Sequence, residues 1–539
     1  MIIPEMSDLA PSHEISKTWR LGCLLYGLVT TLIGFSLKII GEVSQSHTTT
    51  LKTLSHIYGI YMYITSILLI LALFYVGRKQ RMSSNFKIYD PHNANLFLKV
   101  GMVIFGFGTC CYCVIRGGQE ISMVLRNDVD CGNVGRIIMR ITLFIETVLS
   151  IVFVILESKK VFTVFVHQVE LALAHLVAAD MVTCVEFVLD ESAEKAMAIE
   201  ALDSNSTSEC TAINAGMHGN IELLATLFYP CIIEKSLIAA EFFCILAINV
   251  SQPKVIENKA SKEIVFGKNH MSDWNHHFFI KFSKAGIITG TLIFLVTIAV
   301  ILCREMIHSD DVYITISYRI FQILLHLINM ISFLITNLKL KDRKIASHFH
   351  NAIDVPLLMI SLGGLLQYMV FTTLASLVTL ATHDKVSIKL EAATSVIDHS
   401  LHGVQAVIQT YLTFNWVRLK AKLDASFSRS ALCLLLGINL SLWLMLMFEM
   451  DTILVNAFEV ELYSNLNWNL IAHILGPLAI FFHFHSTACL FDVWLGGYFS
   501  HQRNENIEIK EQQTFSIAFN KPQFGSIQPE NRTSFNHAY

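Results

Sequence analysis

Twelve apolar runs, each about the length needed to cross a bilayer, constrain this chain more than any other feature. They are centred on residues 21–41, 56–76, 96–116, 136–156, 168–189, 223–247, 284–303, 314–337, 355–381, 399–417, 430–450 and 469–494. A hydrocarbon core about 30 Å thick takes roughly 20 residues of helix per crossing, and lipid leaves no solvent for unpaired backbone groups. Composition agrees, with 53% of the 539 residues apolar against 15% charged; soluble domains carry about 25% charged residues. With 39 basic and 43 acidic residues, no cationic excess points to nucleic acid. The expected fold is therefore an all-α polytopic membrane protein. The stretch before Trp19 holds Glu5, Asp8, Glu14 and Lys17, unlike the basic start of a cleavable signal, so the first span is expected to be retained.

Lysine and arginine cluster in alternate loops: 78–87, 159–160, 254–268, 339–344 and 418–422. The positive-inside rule then places both termini in the cytoplasm. The sequon at Asn205 falls in an outside loop, as glycosylation requires. Ten of twelve cysteines sit inside spans; Cys131 and Cys210 lie in outside loops, where they are either a disulfide or two unpaired thiols.

The polar interval 250–283 divides the spans six and six, and the halves correspond. Glu146 in the fourth span matches Gln409 in the tenth, Asp180 in the fifth matches Asn439 in the eleventh, and Pro230, Glu234 and Ser236 match Pro477, His485 and Ser486. Six helices per half make the two repeats parallel. The expected organisation is a cytoplasmic segment 1–20, a six-helix domain 21–249, a cytoplasmic linker 250–283, a second six-helix domain 284–499 and a cytoplasmic tail 500–539.

A charge at bilayer depth costs at least about 2.5–3.5 kcal/mol, so ionisable residues inside spans are candidates for function. They are Glu146, Asp180, Glu186, Glu234 and His485. Glu234 and His485 stand at corresponding depths, as either a proton-handling pair or a structural salt bridge. Gln367, Gln405, Gln409 and Asn439 either order a file of water or bridge helices. Gly101, Gly106 and Gly108 are expected to allow close helix approach. His399 and His402 share a helix face, with no second pair to complete a haem cage. His47, His56, His218, His308 and His383 lie in or beside outside loops, as sensors of pH or zinc or as incidental surface groups. No metal-ligand spacing, Walker loop, nucleophile elbow, CxxC pair or potassium filter occurs.

Several motifs then resemble the otopetrin family: Leu96 to Gly101 with Phe105 to Thr109, the run Tyr229-Pro230-Cys231-Ile232-Ile233-Glu234-Lys235-Ser236-Leu237-Ile238, Asn439 to Trp443, and Ile471 to Ile474 through Pro477 to Phe484-His485-Ser486-Thr487-Ala488-Cys489-Leu490 and Trp494. The resemblance implies a proton-selective channel of the plasma membrane, opened by extracellular acid, built as a homodimer and without enzymatic activity. It puts Glu234 and His485 at the intrasubunit acid and histidine positions, and Gln409 and Asn439 at polar positions of the C-terminal barrel. Glu146 stands where the family typically has glutamine, Asp180 where it has asparagine, and His483 where arginine is common. No resident cofactor is expected; zinc is a candidate modulator, and a sterol or other membrane lipid a candidate ligand. The alternative reading is a proton-coupled transporter of a small solute, whose architecture also uses two parallel six-helix halves.

Overall fold

The computed structural model describes residues 13–43, 48–82, 95–125, 134–157, 162, 164–204, 209–250, 284–307, 312–339, 343–345, 354–421, 426–451, 457–464, 467–468, 471–472 and 474–494. Six long helices form the first half: α1 (His13–Val43), α2 (Thr48–Met82), α3 (Asn95–Leu125), α4 (Val134–Glu157), α5 (Val166–Ser204) and α6 (Glu209–Asn249). The second half holds α7 (Lys284–Ile307), α8 (Val312–Lys339), α9 (Asp354–Thr382), α10 (Val386–Arg418) and α11 (Ser426–Asp451), then the short α12 (Ala457–Tyr463) and a last span, α13 (Ile474–Trp494). Strands β1 (Arg343–Ile345) and β2 (Leu419–Ala421) pair antiparallel, Lys344 opposite Lys420, and tie the two connections together. The protein is thus almost wholly helical and crosses the membrane many times.

Ten described helices are long and apolar enough to span a bilayer; α6 and α10 fall outside that set. Both have the length, 41 and 33 residues, at 1.5 Å per residue, but carry polar side chains in place of apolar ones. Those two helices supply much of the candidate site. The loop expected between the fifth and sixth spans is largely helical, because α5 runs on to Ser204 and α6 begins at Glu209. Its sequence from 192 to 203 is rich in Ala, Glu, Lys and Met, which favour helix without help from the membrane.

Neighbouring helices close the first half into a ring in the order α1, α2, α4, α3, α6, α5 and back to α1. In the second half α7 packs on α8 and α11, α8 on α10 and α11, and α10 on α9, each matching a contact between helices of the first half. The spans range from peripheral to central. The apolar window of α1 is 17% buried and that of α13 is 78% buried, and Leu24, Leu28 and Leu32 on α1 turn outward, where the bilayer covers them.

An aromatic seam joins the halves. Phe484 of α13 packs on Phe97 and Phe105 of α3 at ring separations of 5.1 and 5.2 Å, and Trp443 of α11 packs on Phe105 at 5.6 Å. The seam needs Gly101, since a Cβ there would lie 2.5 Å from the Phe484 ring. Gly290 and Gly437 let α7 and α11 cross backbone to backbone; a Cβ on Gly437 would sit 2.6 Å from the Gly290 Cα.

Candidate functional site

Three polar clusters lie at the depth of the spans: one in each half and one at their junction.

In the first half, α4 supplies Glu146, α5 Asp180 and α6 Lys235. The Lys235 ammonium donates to Glu146 Oε2 at 2.7 Å and to Asp180 Oδ1 at 3.0 Å, and its side chain is 1% exposed. Ser150, one turn along α4, donates to the other Glu146 oxygen. Nearby charges are also matched. Lys38 lies 3.8 Å from Glu186, whose other oxygen accepts from the Tyr63 hydroxyl at 3.2 Å. Arg140 rests over the rings of Phe187 and Tyr112, a favourable place for a cation.

In the second half, α10 supplies Gln409, α11 Asn439 and α13 Ser486. Gln409 Nε2 donates to Asn439 Oδ1 at 2.7 Å and to Ser486 Oγ at 2.5 Å. Its carbonyl accepts from Asn329 of α8 at 3.0 Å and from Gln405 at 2.5 Å. From Gln405 the network continues to His326 Nδ1 at 3.3 Å. The other nitrogen of His326 is 3.9 Å from Asp398, whose second oxygen is 3.7 Å from Arg319. A row of imidazoles runs alongside: His326 stacks on His402 at 4.2 Å, and His402 Nε2 is bonded to His483 Nε2 at 2.8 Å. One nitrogen of that last bond donates and the other accepts, so the pair shares a single proton.

At the junction, Glu234 faces the indole of Trp443, and within hydrogen-bond distance its oxygens meet no donor among the described residues. His485 makes its ion pair with Glu241, Nδ1 to Oε2 at 3.4 Å. The expected pairing of His485 with Glu234 is therefore corrected. Seven residues is nearly two full turns, so Glu234 and Glu241 share the face of α6 turned to the second half, and the imidazole meets the further acid.

Glu146, Asp180, Gln409 and Asn439 each sit in one of the clusters, and Glu234 and His485 sit at the junction. Lys235, Glu241, Asn329, His326, Asp398 and Arg319 were not among the candidates. A signal existed for each: a charged or amide side chain inside an apolar run. Among the loop histidines, His383 contacts Glu461 at 3.1 Å on the surface, and His56 is half-buried on α2. His47, His308, Asn205 and Cys131 lie outside the described residues, as do the side chains of His218 and Cys210.

The otopetrin family model matches residues 97–218 and 201–484, which takes in Glu146, Asp180 and Lys235 and most of the other two clusters, stopping just short of His485 and Ser486. This chain belongs to the otopetrin family. It is also similar to the proton channel OtopLc of Drosophila melanogaster, with 21% identity over 455 residues, 76% of this chain. The aligned part covers 28% of that relative, so the chain spans well under half of its length. Within this otopetrin, the Gln405–Gln409 network is a continuous set of buried amides. Each amide donates on one side and accepts on the other, and so can hold water in an ordered file.

Proposed function

We propose that this otopetrin is a proton channel of the plasma membrane, opened by extracellular acid and conducting protons into the cell, and that it is not an enzyme. The observation that carries this reading is the connected line from Asp398 through His326, Gln405 and Gln409 to Ser486. It combines groups that bind and release protons with amides and hydroxyls that orient water between them. Arg319 stays protonated and fixes Asp398. No step requires bond chemistry on an organic substrate. The similarity to a named proton channel supports the same reading.

Both termini are placed in the cytoplasm by the loop charges, and the functional unit is a homodimer seated in membrane lipid. Outer-loop histidines, His383 foremost, supply the sites at which zinc or acid acts.

The test is proton flux by the purified chain in liposomes with no organic solute present. Acid on one side should drive protons across, with a reversal potential that follows the proton gradient. Flux that appears only with an added solute points to a coupled transporter, and a reversal potential set by sodium or potassium overturns proton selectivity.

A further inference from the structure

The two halves place different chemistry at the same point of the chain order. The fourth, fifth and sixth long helices of the first half contribute Glu146, Asp180 and Lys235, and their counterparts in the second half contribute Gln409, Asn439 and Ser486. In each set the group on the sixth span bonds to, or is bridged with, the groups on the fourth and fifth. In the second half every member is neutral and can both donate and accept. In the first half the central member is an ammonium, which has three hydrogens to give and no lone pair with which to take a proton.

We propose that Lys235 closes the first-half ring to protons, so that current runs through the second half. Three observations support this. The ammonium is buried between two carboxylates at 2.7 and 3.0 Å, so withdrawing it would strand two acids in a site that is 1–5% exposed. A fixed positive charge buried inside the ring repels an approaching hydronium. Other charged groups of that ring are engaged too: Lys38 with Glu186, Glu186 with Tyr63, Glu146 with Ser150, and Arg140 over two aromatic rings. Of the two carboxylates facing Lys235, each gives one oxygen to the ammonium, and the second oxygen of Glu146 accepts from Ser150. Lys235 is thus a route-determining residue.

The inference rests on the proton-channel reading, and a direct measurement of water entry separates the two. Hydroxyl-radical footprinting of the full chain in lipid reports water reaching Met139, a fully buried first-half residue, whether or not protons flow. In the unaltered chain Met139 should be protected; ready oxidation overturns the closure. The variant Glu146→Gln/Asp180→Asn/Lys235→Ser copies the neutral set of the second half, and it should expose Met139. In liposomes, Gln409→Leu alone should cut flux at least about tenfold, and the triple substitution added to it should restore flux to within about threefold of the unaltered chain. Gln409→Leu with normal flux, or a combined variant that stays silent with Met139 still protected, refutes the proposal. If the triple variant does not assemble, Lys235→Gln, whose amide still donates toward the two carboxyl groups, is scored on the same two readouts. Absence of flux from the unaltered chain, with Met139 protected and then exposed on neutralisation, sinks the channel reading and leaves the closure standing.

Discussion

Where the fourth, fifth and sixth spans of each half meet, the first half of this otopetrin is held by charge and the second by amides and a hydroxyl. Glu146, Asp180 and Lys235 form a cluster in which removing one member leaves another exposed to a low-dielectric surround. Gln409, Asn439, Ser486 and Asn329 can trade partners without separating charge. Ion pairs of this kind confer rigidity and are costly to break, whereas neutral networks reorganise at small cost. The comparison teaches that helices in corresponding positions can serve as a lock in one half and a relay in the other.

The largest effect expected from breaking this contrast is on stability. Lys235→Met removes the ammonium bonded to Glu146 and Asp180, and losing one partner of a buried pair costs about 3–5 kcal/mol. The corresponding Ser486→Ala removes one neutral hydrogen-bond acceptor, worth about 1 kcal/mol. Thermal unfolding of the two variants in detergent should therefore separate them widely. Equal losses would show that the two cores are not energetically different.

A smaller effect is expected at the junction. His485→Ala, Glu241→Gln and the double substitution form a cycle, and contacting charged groups couple by about 0.5–3 kcal/mol. Glu234→Gln in place of Glu241→Gln should give a cycle that closes near zero, because the ion pair of His485 is with Glu241. Coupling of His485 to Glu234 as strong as to Glu241 would overturn that assignment.

The spans were legible because about 20 apolar residues admit few alternatives in lipid, and the polar residues inside them stood out as candidates for the same reason. Partners were not legible. Glu234 and Lys235 are adjacent in sequence, yet successive helix positions diverge by about 100°. One therefore faces Trp443 at the junction and the other faces the interior of its ring. Aligning Glu234 with His485 by their prolines matched depth and could not reveal that Glu241, two turns on, is the acid the imidazole meets. The histidines of α8 and α10 were hidden for a related reason: His326, His402 and His483 come from three helices far apart in sequence, and only packing brings them into a row.

At the connection between α11 and α13 the effects become smaller and depend on pH. Glu459 on α12, in the connection between α11 and α13, is 1% exposed. Burial raises its carboxyl from an ordinary value near 4.5 to about 7, with Arg319 opposing the shift and Glu449 and Glu391 adding to it. An acid raised in the docked state prefers to be neutral there. The docked position of α12 is thus fully favoured below about 4.5, weakens as pH rises through about 7, and is least favoured above that. Hydrogen exchange over 457–464 should slow as pH is lowered from 7.5 to 5, after correction for intrinsic rates, and Glu459→Gln should give slow exchange throughout. Protection in the unaltered chain that does not change with pH would remove Glu459 as the cause.

The smallest expected effect is that of His383. Its imidazole meets Glu461 of α12 at 3.1 Å, but the two side chains are 32% and 59% exposed. Water screens such a pair, and exposed pairs contribute about 0.2–1 kcal/mol. The contact adds weakly to the docking of α12. His383→Ala should consequently shift α12 protection by no more than about 1 kcal/mol. Glu461→Gln should reproduce the shift, and the double substitution should add nothing to it. A shift in His383→Ala that survives in the Glu461→Gln background would mean that the imidazole acts through another group. A large loss of zinc response alongside a normal pH midpoint would make this histidine a metal contact instead of a partner for α12.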